Sequence, residues 1–251
     1  VEHGLAATAT RRYTNRMDLI LLQWPTIDDA ESGVVSYEYG ISSTPAVSVD
    51  GQPDMTPYVF VGLSQQAVAV ELELEHAHVY YGAVRTLNGV GLKGTSFSGG
   101  VMVDVTPPVC SALDGVAGGA DLDFSTSGVP RVSVACEDLE SGAESVWWGL
   151  GTIPGWDDTI PLTAGTANAV AVPTHLEAIT SSLNVPSSHI SPYRLMSADF
   201  ESPTTVLLDG VRYYGMVQVK NGAGVSVFET TDGQVHDTSP PTVLFAYDLA
   251  G

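Results

Sequence analysis

The chain has 251 residues, 44% of them hydrophobic, and its 9 Lys and Arg against 29 Asp and Glu leave a formal net charge of −20. That is enough chain for two domains of ordinary size, and no run long enough to span a bilayer as a helix escapes interruption by charge, Gly or Pro. The acid surplus repels phosphate backbones and anionic lipid, which excludes nucleic acid and direct membrane insertion and leaves cations as the favoured charged partners; the same charge also serves to keep a Ser-, Thr- and Gly-rich surface dispersed.

Taken in chain order, the elements are short. The sequence opens at Val1 with neither Met nor a basic-then-apolar leader, and reads as a mature piece or a segment. Strand-sized runs follow at Met17–Trp24, Val34–Ile41, Val68–Leu74, Val79–Leu87 and Val101–Val105, rich in Val, Ile and Tyr and bounded by turn residues. Windows with helical spacing are few, and 26 Gly and 15 Pro punctuate the rest. The composition predicts an all-β fold.

Internal repetition divides the chain further. The string VYYGAVRTLNGVG, followed by VMVDVTPPV, returns as RYYGMVQVKNGAG followed by QVHDTSPPTV. Tyr80 aligns with Tyr213, Asn88 with Asn221, Asp104 with Asp237 and Pro108 with Pro241, each pair 133 residues apart. An earlier block, DDAESGVVSYEYGIS, returns as EDLESGAESVWWGLG and sets Glu31 on Glu140 and Gly40 on Gly149, 109 residues apart. The two offsets differ by 24 residues, a net insertion in the second copy. We expect it within 172–203, where alternation lapses and Ser and Pro accumulate, as a packed irregular loop with one short helix near His175–Leu183. The units are then 1–106, 107–239 and, from 240 to 251, the start of a third.

The strings ESG-V-x-S-Y-E-Y-G-I, YYG-x-V-x-x-x-N-G-x-G and V-D-x-T-P-P resemble the divergent fibronectin type III-like, immunoglobulin-like repeats of large extracellular proteins, common on algal and other protist surfaces. The resemblance covers nearly the whole chain outside the insertion. It implies two tandem seven-stranded β-sandwiches plus the start of a third, with the Glu31 block between strands B and C, the Tyr pair on strand F, the Asn-Gly turn between F and G, and the Pro pair as linker. The first copy lacks an obvious strand A. Residue chemistry agrees: Trp24 suits the plug between two sheets, Tyr80 and Tyr81 point to opposite faces so that one packs inward and the other outward, Asn88-Gly89 and Asn221-Gly222 are hairpin turns, and Thr106-Pro107-Pro108 and Ser239-Pro240-Pro241 cannot continue a ladder. Trp147 and Trp148 must also split between faces, and Trp156 is a candidate outer-face contact.

Placed on that scaffold, Cys110 falls on strand A and Cys136 on strand B near the place Trp24 holds in the first copy. A bridge between them ties neighbouring strands and adds roughly 3 kcal/mol by closing a loop of about 26 residues, and secretion favours its formation. Acidic residues gather where units should meet. Asp104 of the linker approaches Asp138 and Glu140, and Asp237 stands ready to face a third unit in the same way. Two readings remain open there, an interdomain Ca²⁺ site built from oxygen ligands, or the Glu of Glu-Ser-Gly bonding the backbone amides of its own turn and the Asp before Thr-Pro-Pro capping the linker.

Other motifs carry less chemistry. His76-x-His78 offers two ligands, too few for a transition metal without a third, and is expected to lie on an exposed strand face; Asp121-x-Asp123 is expected at the solvated start of a strand. No nucleophile elbow, phosphate loop, zinc-protease helix or dinucleotide fingerprint occurs, so no enzyme is expected and no cofactor required. None of the five Asn residues begins an Asn-x-Ser/Thr site, so any glycan is O-linked, near Thr106 or Ser239. The expected role is a structural repeat segment of a secreted multi-domain protein building an extracellular filament, cell-surface or ciliary-hair-like assembly, with other copies of itself or other matrix proteins as partners. The alternative is an adhesion module binding a glycan or partner protein through the insertion or exposed aromatics.

Overall fold

Short β-branched and aromatic runs broken by glycine and proline give strands and tight turns, and the chain is all-β, with no helix among the described residues. A computed structural model describes residues 12–48, 51–166, 168–169, 194–242 and 244. Among the described residues eighteen strands follow in order. In the first unit they are β1 (Tyr13–Thr14), β2 (Ile20–Gln23), β3 (Val34–Ser42), β4 (Thr56–Gly62), β5 (Gln66–Ala69), β6 (Val79–Asn88), β7 (Lys93–Phe97) and β8 (Val101–Val103). In the second they are β9 (Val109–Asp114), β10 (Phe124–Ser125), β11 (Arg131–Glu137), β12 (Ala143–Gly151), β13 (Ile160–Gly165), β14 (Asn168–Ala169), β15 (Leu195–Glu201), β16 (Arg212–Asn221), β17 (Ser226–Thr230) and β18 (Gln234–His236).

The ladders separate into two sets. The first unit has a sheet ordered β1-β8-β6-β3-β4, with β7 also on β6, and a β2-β5 pair. The second repeats this as β10-β18-β16-β12-β13, with β17 on β16, opposite a sheet ordered β14-β15-β11-β9. Within the described residues every ladder stays on its own side of the 104–108 linker. Each set closes over its own core, one built on Ile20, Leu22, Trp24, Tyr37, Ile41, Tyr80 and Val84, the other on Val132, Val134, Trp148, Leu150, Phe200, Tyr213 and Val217. Full burial of each such aliphatic side chain contributes about 1.5–3 kcal/mol.

The predicted aromatic plug is present and differs between copies. Trp24 meets Tyr37 edge-on at 5.9 Å. Where Cys136 replaces it, Trp148 stacks on Phe200 at 5.6 Å, 9° from parallel, while Trp147 on the other face is half-buried. Cys136 and Cys110 form a disulfide between directly opposed positions of β11 and β9. Tyr80 and Tyr213 each accept a hydrogen bond on the phenol oxygen from the amide five residues upstream, Glu75 at 2.9 Å and Leu208 at 2.8 Å. Each bond pins β6 or β16 to the segment that leads into it.

Several expectations are corrected. Tyr81 faces away from Tyr80 but is buried too, because its ring lies over Gly100, where φ is +88° and a Cβ would come within 2.8 Å of the ring. The run 68–74 is a strand only to Ala69; beyond it Glu71 takes a positive φ and the chain turns away. The span 172–203 is not all insertion, since 195–201 is β15, a core strand with Met196, Ala198 and Phe200 buried against β11. The predicted helix at His175–Leu183 lies outside the described residues. In the first unit β1 runs parallel to β8 as β10 does to β18, and a counterpart of β9 would fall outside the described residues. Residues 240–242 and 244 carry no strand, and the remainder of the expected third unit lies outside the described residues. No described helix is long and apolar enough to cross a membrane.

Candidate functional site at the junction

Each unit carries the same turn clasp. Where β2 and β11 lead to β3 and β12, an Asp caps the turn: Asp29 accepts from the Ser32 amide at 2.8 Å, and Asp138 accepts from the amides of Ser141 and Gly142 at 3.0 and 2.7 Å. The capped turn then bonds the Asn of the neighbouring hairpin. Asn88 donates to Asp29 at 3.2 Å, and Asn221 donates to Asp138 at 3.1 Å. Each Asn also closes its own turn by accepting at 2.8 Å from the amide four residues on, Leu92 or Val225. Both turns therefore form one polar edge on each sandwich.

In the second unit the linker is built into that edge. Asp104 has 0% exposure. Its Oδ1 accepts from the amide and hydroxyl of Thr106, at 3.1 and 3.0 Å. Its Oδ2 accepts from the Ser141 hydroxyl and, at 2.9 Å, from the Asn221 amide, which also donates to the Thr106 carbonyl at 2.8 Å. The first unit adds Tyr13, whose ring lies against Gly222 so closely that a Cβ there would sit 2.8 Å from it. Covalent linkage brings these groups near, and the hydrogen bonds from Asp104 to Ser141 and Asn221 are buried.

Asp104, Asp138 and Glu140 lie together at the junction, the first two bridged by the Asn221 amide and Asp104 and Glu140 each 3.7 Å from His76. Asp237 stands apart from them at the far end, exposed, with Oδ1 accepting from the amide and hydroxyl of Ser239 at 3.0 and 2.9 Å. His76 is the residue that reasoning misplaced. It lies in the turn before β6, with Nδ1 3.7 Å from Asp104 Oδ1 and Nε2 3.7 Å from Glu140 Oε1. The positive φ of Ala77 turns the chain between His76 and His78, so the two imidazoles do not share a strand face; His78 lies beside exposed Glu75. The spacing His-x-His concealed this, because the partners come from the linker and the next unit.

The electrostatics are those of crowded carboxylates. Burial, with Asp104 adding repulsion, pushes Asp138 up to about 6. Burial and Asp104 also raise Glu140, against the pull of His76 and Arg194. His76, Asp104 and Glu140 can each place one ligand atom within 4.8 Å of the others. Both oxygens of Asp104 and both of Asp138 already accept N–H or O–H donors, the arrangement of a capped turn and linker. Beside the joint a cleft of about 450 Å³ is lined by Arg12, Tyr13, Glu144, Trp147 and Lys220.

A second acidic group, Asp114, Asp121 and Asp232, lies at the opposite end of the second unit. There burial pushes Asp114 up to about 6 against the pull of the Thr231 hydroxyl and the Gly233 amide, and Asp121 is occupied in accepting from the Asp114 amide at 2.8 Å. Thr106 and Ser239, the expected O-glycan positions, both give their hydroxyls to the linker Asp. Comparison with protein-family models and with curated proteins finds no match for the chain.

Proposed function

We propose that the chain is a structural segment of a secreted, multi-domain protein, in which tandem sandwiches are held at a set angle so that the array keeps its shape in an extracellular filament or surface coat. The observation that carries this reading is Asp104, a carboxylate without exposed surface at the point where one unit joins the next, held by donors from its own linker and from two turns of the following unit. A flexible tether has no use for such a group, because burying a charge costs free energy that only a fixed, fully bonded geometry offsets. The disulfide supports an oxidising compartment. Imaging the native assembly tests the role: units repeating along a regular axis fit it, and isolated chains with no regular neighbours would overturn it.

Adhesion is the second reading, favoured by the cleft beside the joint, where Tyr13 and Trp147 stand with Glu144 and Lys220, and by Trp156, 61% exposed. Aromatic walls with polar neighbours suit a sugar ring. Glycan binding lost on Trp147→Ala, with the joint intact, would favour it.

A further inference from the structure

The two halves of the joint in the middle of the chain each occur a second time, the plug at the end of β18 and the turn edge on the first unit. Resting on the structural reading above, we propose that the far end of the second unit is a plug, made of Asp237, Ser239 and Phe124, that docks onto the turn edge of another unit of the same kind as Asp104, Thr106 and Tyr13 dock onto the second unit.

The plug is repeated part for part. Asp104 and Asp237 each turn Oδ1 back onto the residue two positions on, Thr106 or Ser239. Each donates its amide to the carbonyl of a residue in the parallel edge strand, Thr14 at 2.8 Å and Ser125 at 3.0 Å. In the same strands Tyr13 pairs with Met102 and Phe124 with Val235, so the two rings hold equivalent places. Tyr13 is half-buried on Gly222, whereas Phe124 is 67% exposed. Docking of the plug rests on this equivalence of place, since Phe124 stands beside Asp237 as Tyr13 stands beside Asp104.

The receiving edge occurs twice in the chain, and the two copies differ where the linker meets the second. On the second unit, with the linker in place, the Ser141 hydroxyl turns outward to Asp104, Asn221 donates to Asp104 and Thr106 besides its shared bond to Asp138, and Ala223 is 8% exposed. On the first unit, where no described residue takes the place of Asp104, the equivalent Ser32 hydroxyl folds back to Asp29 at 3.0 Å, the amide of Asn88 donates to Asp29, and Val90, the counterpart of Ala223, is 71% exposed. Asp29, Ser32 and Asn88 are half-buried, whereas Asp138, Ser141 and Asn221 are buried. The occupant is thus an Asp-x-Ser/Thr-Pro-Pro segment with an aromatic beside it, from a neighbouring unit.

The test extends the full chain by repeating residues 109–242 after Pro241, which sets Asp237 before a second copy of the edge it is built to meet. In the extended chain Asp237→Ala should lower the unfolding midpoint of the added unit by as many degrees as Asp104→Ala lowers that of the second unit in the parent chain. In the parent chain Asp237→Ala should move the midpoint by less than about 1 °C, since there the residue bonds only its own exposed turn. Phe124→Ser gives an independent reading, with a loss of added-unit stability in the extended chain that exceeds its effect in the parent. Equal effects in both chains, for both variants, would overturn the proposal. They would leave the structural role intact, since imaging of the native assembly judges that separately.

Discussion

Replacing Asp104 by Ala removes the acceptor on which the joint converges. Four donors lose their partner: the amide and hydroxyl of Thr106, the hydroxyl of Ser141 and the amide of Asn221. The two Thr106 bonds lie within an exposed linker and revert to water at little cost. The other two are buried hydrogen bonds to a charged group, worth about 1.5–3 kcal/mol each. Two effects offset part of that. The Ser141 hydroxyl can turn back to Asp138, as Ser32 does to Asp29, and removal of a neighbouring charge relieves the repulsion that helps hold Asp138 up at about 6. The net expectation is a loss of about 2 kcal/mol, or roughly 6–8 °C in the midpoint of a unit of this size. Calorimetry on the parent and variant measures it, with Asp104→Asn as companion: the amide keeps an acceptor and sheds the charge, so it should lose less than half as much. A shift under about 1 °C for Asp104→Ala would refute the claim that the buried carboxylate holds the units together.

Asp138 and Asp114 both have folded-state values raised to about 6 from an ordinary 3.8. The folded chain therefore binds more protons than the unfolded one between those values, so stability should rise as pH falls from 7 towards 4. Relief of the −20 charge acts in the same direction. A midpoint that falls steadily over that range would contradict the burial of these groups, and Asp138→Asn should flatten the slope. Reducing the Cys110–Cys136 bridge should cost the second unit about 3 kcal/mol and leave the first unchanged; two calorimetric transitions moving together would count against separate cores. Tyr80→Phe and Tyr213→Phe should each lower the stability of their own unit by about 1 kcal/mol through loss of the acceptor at the strand F corner, read by denaturant titration. Because the oxygens of Asp104 and Asp138 already accept donors from within the chain, the angle between units should be indifferent to Ca²⁺ and to chelator. An angle that changes with calcium would show the acids opening to a metal.

The parts of this fold legible in the sequence are those where identical residues recur at a constant offset. Tyr80 and Tyr213, Asn88 and Asn221, and Asp104 and Asp237 make the same bond in both copies, so the repeat in sequence marks a repeat in structure. Other parts were hidden for physical reasons. Strand β15 alternates buried and exposed residues, but Pro and Ser on either side made it read as loop. β4 is mostly half-exposed and contains Pro57, so its pattern is weak, although it pairs along β3. His76 gave no local signal because the groups it meets are far away in sequence. The roles of Asp29 and Asp138 as turn caps were missed, and their bonds to Asn88 and Asn221 depend on two hairpins lying side by side, which only the folded sandwich supplies.

The most direct measurement is the distribution of distances between spin labels on Leu63→Cys and Phe228→Cys, two exposed positions in different units, in a chain whose native cysteines are already paired. A joint held by Asp104 predicts one narrow distance that broadens in Asp104→Ala. A broad distribution in the parent chain, unchanged by that substitution, would mean that the linker is a tether and that the array does not keep its shape in the way described.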